Sequence, residues 1–251
     1  MYRRGICLLL AILLCVTLLG CSNSGEESTT QQQMHSEKEE SSQDTTEEKL
    51  PEKETLQEFF DNAAFIGDSV TLKLRNYNME TGALGKAVFL CQGSYSVNHA
   101  AKNSMLLSYQ GKDMTPQDAL KASGVNKVFI LLGMNDIALF GEKSIPIAME
   151  NWQTVIDNIK KENPDLQIYI QSGTPIYTDG QVGNLTNARM DDYNVLLKEF
   201  AQKNGCIYVD IASYMKDSSN GLAKAYCSDA FVHFTDAGCK MWVSILEKIA
   251  K

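Results

Sequence analysis

A serine at a strand-to-helix junction is the first candidate for chemistry in this chain. Ser69 ends the tripeptide Gly67-Asp68-Ser69, which follows the apolar run 63–66 and precedes a helix-like stretch at 70–74. Hydrolytic α/β enzymes place a nucleophile at such a turn, because the turn exposes the hydroxyl and the helix N-terminus favours negative charge by about 0.3–1 kcal/mol. The same tripeptide is also ordinary turn chemistry, in which Ser caps the helix. Ser69 is therefore a candidate nucleophile that needs partners elsewhere.

Three further motifs could supply those partners. Gly93 and Asn135 each follow a later apolar run, and Asp229 and His233 lie together near the C-terminus. Ligands of parallel α/β sheets bind at the carboxyl ends of the strands. A glycine suits a place where the backbone must approach a substrate closely, and an amide side chain can donate to a developing oxyanion. Gly93 is also interpretable as a plain turn glycine, and Asn135 as a helix cap.

In these four motifs and their order the chain resembles the SGNH/GDSL hydrolase family, from about Asn62 to the C-terminus. The family's four blocks match Ser69, Gly93, Asn135, and the pair Asp229 and His233. The resemblance implies a flavodoxin-like fold and a serine esterase. In it, Ser69 attacks an acyl carbonyl, His233 is the base and Asp229 orients the base. It also implies an oxyanion hole made of the backbone N–H groups of Ser69 and Gly93 and the side-chain amide of Asn135.

The histidines leave one candidate base. His35 lies in a polar N-terminal stretch, and His99 lies in a helix-like segment, where a surface or packing role is expected. His233 remains. The alternative for His233 is a loop histidine with no catalytic role.

The acid departs from the family pattern. The family's acid lies three residues before the histidine, and that position is Ala230 here, whereas Asp229 lies four before. A one-residue bulge would restore the contact, because geometry and not spacing decides the roles. The alternatives are that Asp236 or a backbone carbonyl orients the ring. Asp68 and Asp136 are expected to support loops through hydrogen bonds.

Apolar runs alternate with amphipathic stretches over the globular part of the chain. The predicted strands are 63–67, 87–91, 127–132, 167–172 and 206–210. The predicted helices include 144–162, with Ser144 as N-cap, 187–203, and a last helix that begins at Thr235 and Asp236. Strands that are apolar on both faces favour a parallel sheet covered by helices on both sides. The fold class is therefore α/β, a three-layer α/β/α sandwich with a five-stranded parallel sheet.

The N-terminal 54 residues are expected to lie outside that domain. Residues 1–20 combine a basic start with a mostly apolar run, which is typical of a secretory signal. They end at Cys21, in the sequence Leu18-Leu19-Gly20-Cys21, which looks like a bacterial lipobox and makes Cys21 the lipidation candidate. Residues 22–54 hold ten acidic and three basic residues and almost no apolar ones, which predicts a disordered tether. The predicted domain is 55–251.

Composition limits the partners and cofactors. Most of the formal net charge of −8 lies in the tether, and no basic face suggests nucleic acid. No Cys-x-x-Cys motif or histidine cluster suggests a metal, and no Gly-rich loop suggests a nucleotide or flavin, so no cofactor is predicted. Of the seven cysteines, Cys91 and Cys206 fall in buried strands, and Cys227 and Cys239 could pair in an oxidising compartment.

The leading hypothesis is a cell-envelope serine esterase, anchored through its lipid. The segment between Gly93 and Gly133 holds no long apolar lid, so a short acyl group such as acetyl on a glycan is favoured over a lipid. Acyl transfer uses the same acyl-enzyme and stays open. The rival hypothesis is a glycan-binding lipoprotein on an inactive hydrolase fold, motivated by the displaced acid.

Overall fold

A computed structural model describes residues 54–251, so the predicted signal peptide, the lipidation candidate Cys21 and the tether up to residue 53 lie outside the described residues. The strands are β1 (Ala63–Gly67), β2 (Val88–Cys91), β3 (Leu107–Tyr109), β4 (Lys112–Met114), β5 (Lys127–Leu131), β6 (Gln167–Gln171) and β7 (Ile207–Val209). The α-helices are α1 (Leu56–Asp61), α2 (Ser69–Thr81), α3 (Val97–Lys102), α4 (Pro116–Ser123), α5 (Met134–Leu139), α6 (Ser144–Glu162), α7 (Asn187–Lys203), α8 (Ala212–Met215) and α9 (Asp236–Ile249). Short 3₁₀ turns cover Gly141–Lys143 and Thr178–Gly180.

Five strands form one parallel sheet in the order β2-β1-β5-β6-β7. This confirms the predicted sheet, and every strand end lies within one residue of its predicted position. Because β1 lies between β2 and β5, the three strands that precede the candidate residues are neighbours. Their carboxyl ends therefore meet at one edge of the sheet.

Helices cover both faces of the sheet, as the three-layer prediction requires. One layer buries Trp152 of α6 and Tyr193 of α7, and the other buries Trp242 of α9. All five residues of β1 and of β5 are buried. Strands that are covered on both faces must be apolar throughout, which explains the continuous apolar runs in the sequence.

An aromatic ladder holds the register of four strands. Phe89, Phe65, Phe129 and Tyr169 are cross-strand partners, and their rings stack with centroid distances of 5.1, 5.0 and 4.3 Å. Each such pair contributes about 0.5–1.5 kcal/mol beyond the area that it buries. A register shift would break all three contacts at once.

Two local features differ from the sequence analysis. Ser144 was predicted to cap α6, and this is wrong: the preceding 3₁₀ turn already gives Ser144 helical backbone angles, and Lys143 occupies the cap position. The buried Ser144 hydroxyl instead accepts a hydrogen bond from Arg189 at 2.7 Å. The antiparallel hairpin β3–β4 was not predicted, because its strands are only three residues long.

The four cysteines in the described part of the chain, Cys91, Cys206, Cys227 and Cys239, are free thiols, so Cys227 and Cys239 are not paired.

Glu54, which the sequence analysis assigned to the tether, forms an ion pair of 2.8 Å with the buried Lys127. None of the helices between residues 54 and 251 is long and apolar enough to cross a membrane.

Candidate active site

The turn after β1 presents the Ser69 hydroxyl. Ser69 is the first residue of α2, and its neighbour Asp68 caps the helix by accepting a hydrogen bond from Val70 N–H at 2.9 Å. Gly67 is required for the turn, because a Cβ there would lie 1.9 Å from Oγ1 of Thr71. The helix is therefore capped by Asp68 and not by Ser69, which leaves the Ser69 hydroxyl available for another partner.

That partner is His233. Its Nε2 lies 2.9 Å from Oγ of Ser69, and its Nδ1 lies 2.5 Å from Oδ2 of Asp229. A carboxylate that accepts from Nδ1–H leaves Nε2 as the acceptor of the ring. The imidazole is thus placed to take a proton from the serine hydroxyl.

The local backbone explains the unusual four-residue spacing. Oδ1 of Asp229 accepts hydrogen bonds from the N–H groups of Phe231, Val232 and His233 at 2.9, 3.0 and 3.2 Å. The intervening Ala230 is in the left-handed region, with φ of 55°. Partial burial opposes the charged form, but the hydrogen bonds from the His233 ring and backbone outweigh it and hold the pKa of Asp229 below its ordinary value. Asp236, the alternative acid, is bound to Lys73 instead.

A second loop braces the segment that carries Asp229 and His233. Tyr177 N–H donates to the carbonyl oxygen of Phe231 at 2.8 Å. A Cβ on Gly180 would lie 2.4 Å from the Ala230 carbonyl oxygen. Sequence reasoning missed this brace, and no sequence signal could have found it, because both loops are irregular.

Gly93 follows β2 and borders open space. A Cβ on Gly93 would meet no atom within 4 Å, and its φ is not in the positive region. Within residues 54–251 its N–H has no hydrogen-bond partner. The N–H of Ser69 is one of the first four of a helix and has no acceptor within that helix. Both groups are therefore available to a ligand.

Asn135 makes two contacts through its amide. Its Nδ2 donates to Oδ2 of Asp68 at 3.0 Å and to the carbonyl oxygen of Tyr95 at 3.1 Å. The structure thus brings Asn135 to the same edge as Ser69 and Gly93, but with both amide hydrogens occupied. Burial raises the pKa of Asp68 to about 6, although the hydrogen bond from Val70 and the charge of His233 act in the opposite direction.

Asp136 supports the loop beside Asn135. It is fully buried and accepts the N–H groups of Val97 and Asn98, each at 2.9 Å. These bonds tie the start of α5 to the start of α3. Asp68 and Asp136 thus both make the hydrogen bonds that the sequence analysis expected of them.

The model of the GDSL-like lipase/acylhydrolase family matches residues 65–241, which include the four motifs. The chain belongs to the GDSL-like lipase/acylhydrolase family. The predicted resemblance to SGNH/GDSL hydrolases is confirmed, and this family is one of acylhydrolases that act on esters.

Solved structures share this fold at low sequence identity. One from Streptococcus pneumonia matches with a TM-score of 0.60 and 19% identity, over 80% of this chain and 93% of that chain. A GDSL-like lipase from Bacteroides thetaiotaomicron matches with a TM-score of 0.60 and 14% identity, over 75% of this chain and 86% of that chain. An acetyl xylan esterase matches with a TM-score of 0.55 and 14% identity, over 74% of this chain and 98% of that chain. No curated protein sequence matches this chain.

Other candidate groups in this GDSL-like hydrolase lie outside the Ser69 cluster. His99 lies on α3, where its ring stacks on Tyr95 with a centroid distance of 6.2 Å. His35 lies outside the described residues. Among residues 54–251, no group of three or more His, Cys, Asp or Glu side chains is arranged to hold a metal ion.

Replacing Gly93 with alanine is expected to separate folding from turnover. The added methyl group meets no protein atom, so the free energy of unfolding should change by less than about 0.5 kcal/mol. It would crowd the open space beside the candidate nucleophile, where misplacement of a substrate by about 1 Å costs on the order of 10²-fold in rate. Urea unfolding and ester kinetics on the same preparation check both parts. An unaltered kcat/KM would show that the substrate does not approach this backbone.

Asp68 should give the hydrolase a measurable pH dependence of stability. Its folded pKa of about 6 lies above the unfolded value of 3.8, so between these values the native state binds more protons than the unfolded state. This contribution to stability therefore rises as pH falls from about 6 to 4. Between pH 7 and pH 5 the wild type should gain about 1 kcal/mol relative to Asp68→Asn, by the conversion of about 1.4 kcal/mol per pKa unit. The measurement is the free energy of unfolding in urea at a series of pH values. If it changed equally with pH in the two proteins, a raised pKa of Asp68 would be contradicted.

Proposed function

We propose that this protein is a serine esterase of the bacterial cell envelope that removes short acyl groups, such as acetyl, from glycans. The observation that carries the proposal is the continuous hydrogen-bonded series from Ser69 through His233 to Asp229. Family membership supports ester hydrolysis, and the lipobox at Cys21 supports an extracytoplasmic, lipid-anchored location. Among the structural neighbours, one is an acetyl xylan esterase, which supports an acetylated glycan as the substrate class.

In the first half of the proposed reaction, Ser69 Oγ attacks the acyl carbonyl carbon while His233 Nε2 takes the hydroxyl proton. Asp229 holds the ring in the required tautomer and stabilises the imidazolium. The imidazolium then protonates the alcohol oxygen as the bond between that oxygen and the carbonyl carbon breaks. The alcohol departs, and the acyl group stays on Ser69. In the second half a water attacks the acyl-enzyme with His233 again as base, and the acid and free Ser69 are released.

The proposed oxyanion hole has two donors for which the described part of the chain provides no acceptor. These are the backbone N–H groups of Ser69 and Gly93. The Asn135 amide is the third proposed donor, and it must exchange one of its present acceptors, Asp68 or the Tyr95 carbonyl oxygen, for the substrate oxygen. One such donor typically contributes about 10²–10³-fold in turnover.

The rival hypothesis of a glycan-binding protein on an inactive fold was motivated by the displaced Asp229. The contact of 2.5 Å between Asp229 and His233 removes that motivation. Acyl transfer remains a variant of the proposal, because an alcohol can replace water in the second half-reaction.

The test is covalent labelling and hydrolysis by the full-length protein in detergent. A fluorophosphonate probe, which phosphonylates an activated serine, should label the wild type and leave Ser69→Ala unlabelled. The wild type should hydrolyse p-nitrophenyl acetate faster than the butyrate and octanoate esters. In the presence of a sugar acceptor, free acetate indicates hydrolysis and an acetylated sugar indicates transfer. Ser69→Thr, which keeps the hydroxyl group and adds a methyl group, is the matched control for a change of side-chain packing at this position. Labelling and turnover that persist in Ser69→Ala would refute the proposed mechanism.

A further inference from the structure

A groove of about 540 Å³ opens beside the proposed nucleophile. Its walls include Ser69 and His233, and neither Gly93 nor Asn135 lines it. In ester cleavage by a serine and a histidine, the imidazolium must reach the leaving oxygen to protonate it, while the carbonyl oxygen faces the oxyanion donors. A groove that contains the histidine and none of the glycine and asparagine donors is therefore on the side of the leaving alcohol.

The groove is lined mainly by polar side chains. Leu72, Lys73 and Asn76 lie three, four and seven residues after Ser69, so all three share the face of α2 that carries the serine. The facing wall is formed by the segment that carries His233 and by Asp236 at the start of α9. Among the described residues that line the groove, Leu72 and Phe234 are apolar, and the others can form hydrogen bonds with the hydroxyl groups of an alcohol.

An ion pair crosses the groove from one helix to the other. Lys73 Nζ lies 2.5 Å from Oδ1 of Asp236, although the two residues are 163 positions apart in the chain. The hydrogen bond that Lys73 donates to Asp236 raises the pKa of Lys73, so the lysine stays charged. Because Asp236 already balances this charge, the groove residues within 54–251 offer no surplus lysine or arginine for a phosphate or a uronate.

Asn76 adds a donor at the same wall. Its Oδ1 accepts from Nε and Nη2 of Arg75 at 3.3 and 3.1 Å. The carbonyl oxygen of the amide is therefore occupied, whereas Nδ2 has no acceptor within the described part of the chain. A balanced ammonium and carboxylate with an amide donor is a set that hydroxyl groups can satisfy, since a hydroxyl both donates and accepts.

We infer that this groove binds the leaving alcohol of the ester, and that the alcohol is a neutral polyhydroxyl compound such as a sugar. Lys73, Asn76 and Asp236 are the specificity-determining residues of that subsite. The inference rests on the proposed esterase function and adds to it the position and chemistry of the leaving group.

The experiment compares acetyl esters that differ only in the alcohol, with the full-length protein in detergent. The probes are monoacetylated methyl glucoside, its glucuronate counterpart and hexyl acetate, followed by titration of released acetate. The neutral sugar ester should have a kcat/KM at least about 10-fold above both others. Lys73→Met and Asn76→Ala should each lower the ratio of sugar ester to hexyl ester by about 3- to 10-fold, the range expected for the loss of one hydrogen bond.

Lys112→Met is the matched control, because Lys112 is an exposed lysine on the β3–β4 hairpin. It should leave all three rates and their ratios unchanged. Lys73→Gln, which keeps a polar chain, provides a second variant, and thermal unfolding monitors the fold of each.

The outcomes separate the inference from the proposed function. Hydrolysis that depends on Ser69 but favours hexyl acetate or the glucuronate ester would overturn the inference alone. An equal fall in all rates in the Lys73 and Asn76 variants would do the same. Absence of Ser69-dependent hydrolysis of every ester would overturn the proposed function, and the inference with it.

Discussion

Replacing Asp229 with asparagine is expected to lower kcat by about 10⁴-fold, the loss typical of removing the acid in such a triad. The carboxylate accepts from Nδ1–H of His233 at 2.5 Å. An asparagine amide in its place can donate to Nδ1, which would leave the proton on Nε2. The ring could then no longer accept the proton of Ser69.

The substitution should spare the fold of the segment. Oδ1 of Asp229 accepts three backbone N–H groups, and an asparagine carbonyl oxygen can accept the same three. The thermal unfolding midpoint should therefore change far less than the turnover, and KM should change little. Steady-state kinetics on p-nitrophenyl acetate would measure the effect. The control is Asp113→Asn on the exposed strand β4.

A loss of less than about 10-fold in Asp229→Asn would show that another acceptor orients the ring. The structure already pairs Asp236, the alternative carboxylate, with Lys73. A small effect would therefore point to a backbone carbonyl and would refute the assignment of Asp229 as the acid.

Replacing Gly133 with alanine is expected to cause the largest loss of stability, about 2–5 kcal/mol. Gly133 has φ of 122° and ψ of −29°, a backbone conformation that costs other residues about 1–3 kcal/mol. Its Cβ would also lie 2.2 Å from the hydroxyl oxygen of Tyr193, and such overpacking costs about 1–3 kcal/mol. The loss is a large part of the 5–15 kcal/mol that stabilises a typical domain.

The Tyr193 side chain cannot easily move out of the way. It is fully buried, its hydroxyl donates to the Leu132 carbonyl oxygen at 2.9 Å, and it accepts from Nε1 of Trp152 at 2.7 Å. The strain should instead displace the start of α5, which carries Asn135. We therefore expect activity to fall together with stability.

Gly124→Ala is the matched control for Gly133→Ala. Gly124 also has a positive φ, of 68°, but a Cβ there meets no atom within 4 Å. It should cost about 1–2 kcal/mol, from the left-handed backbone alone. Urea unfolding of both variants isolates the contribution of the overlap with Tyr193. Equal losses would show that this overlap is relieved without cost.

The fold class could be predicted because its signals are local. A strand that is covered on both faces must be apolar along its whole length, so each of the five strands is visible in its own few residues. The short strands of the β3–β4 hairpin carry too few residues for such a pattern. The bounds of α6 were predicted correctly, but its N-cap was misassigned, because the 3₁₀ turn before Ser144 depends on backbone angles that residue types do not specify.

The candidate site was found in part for the same reason. Ser69, Gly93 and Asn135 each follow a strand, so their positions at the carboxyl edge could be inferred one at a time. That they are neighbours depends on the strand order, in which β1 lies between β2 and β5. Nothing local to any one strand specifies this order.

By itself, then, the sequence determined the sheet, its helical layers, and which residue types stand at the strand ends. Only the tertiary structure decided that Asp229 reaches His233, through three backbone hydrogen bonds and a left-handed Ala230. It also decided that Lys73 meets Asp236 across 163 residues. Periodicity and turn chemistry act over a few residues, whereas these contacts exist only once distant segments pack against each other.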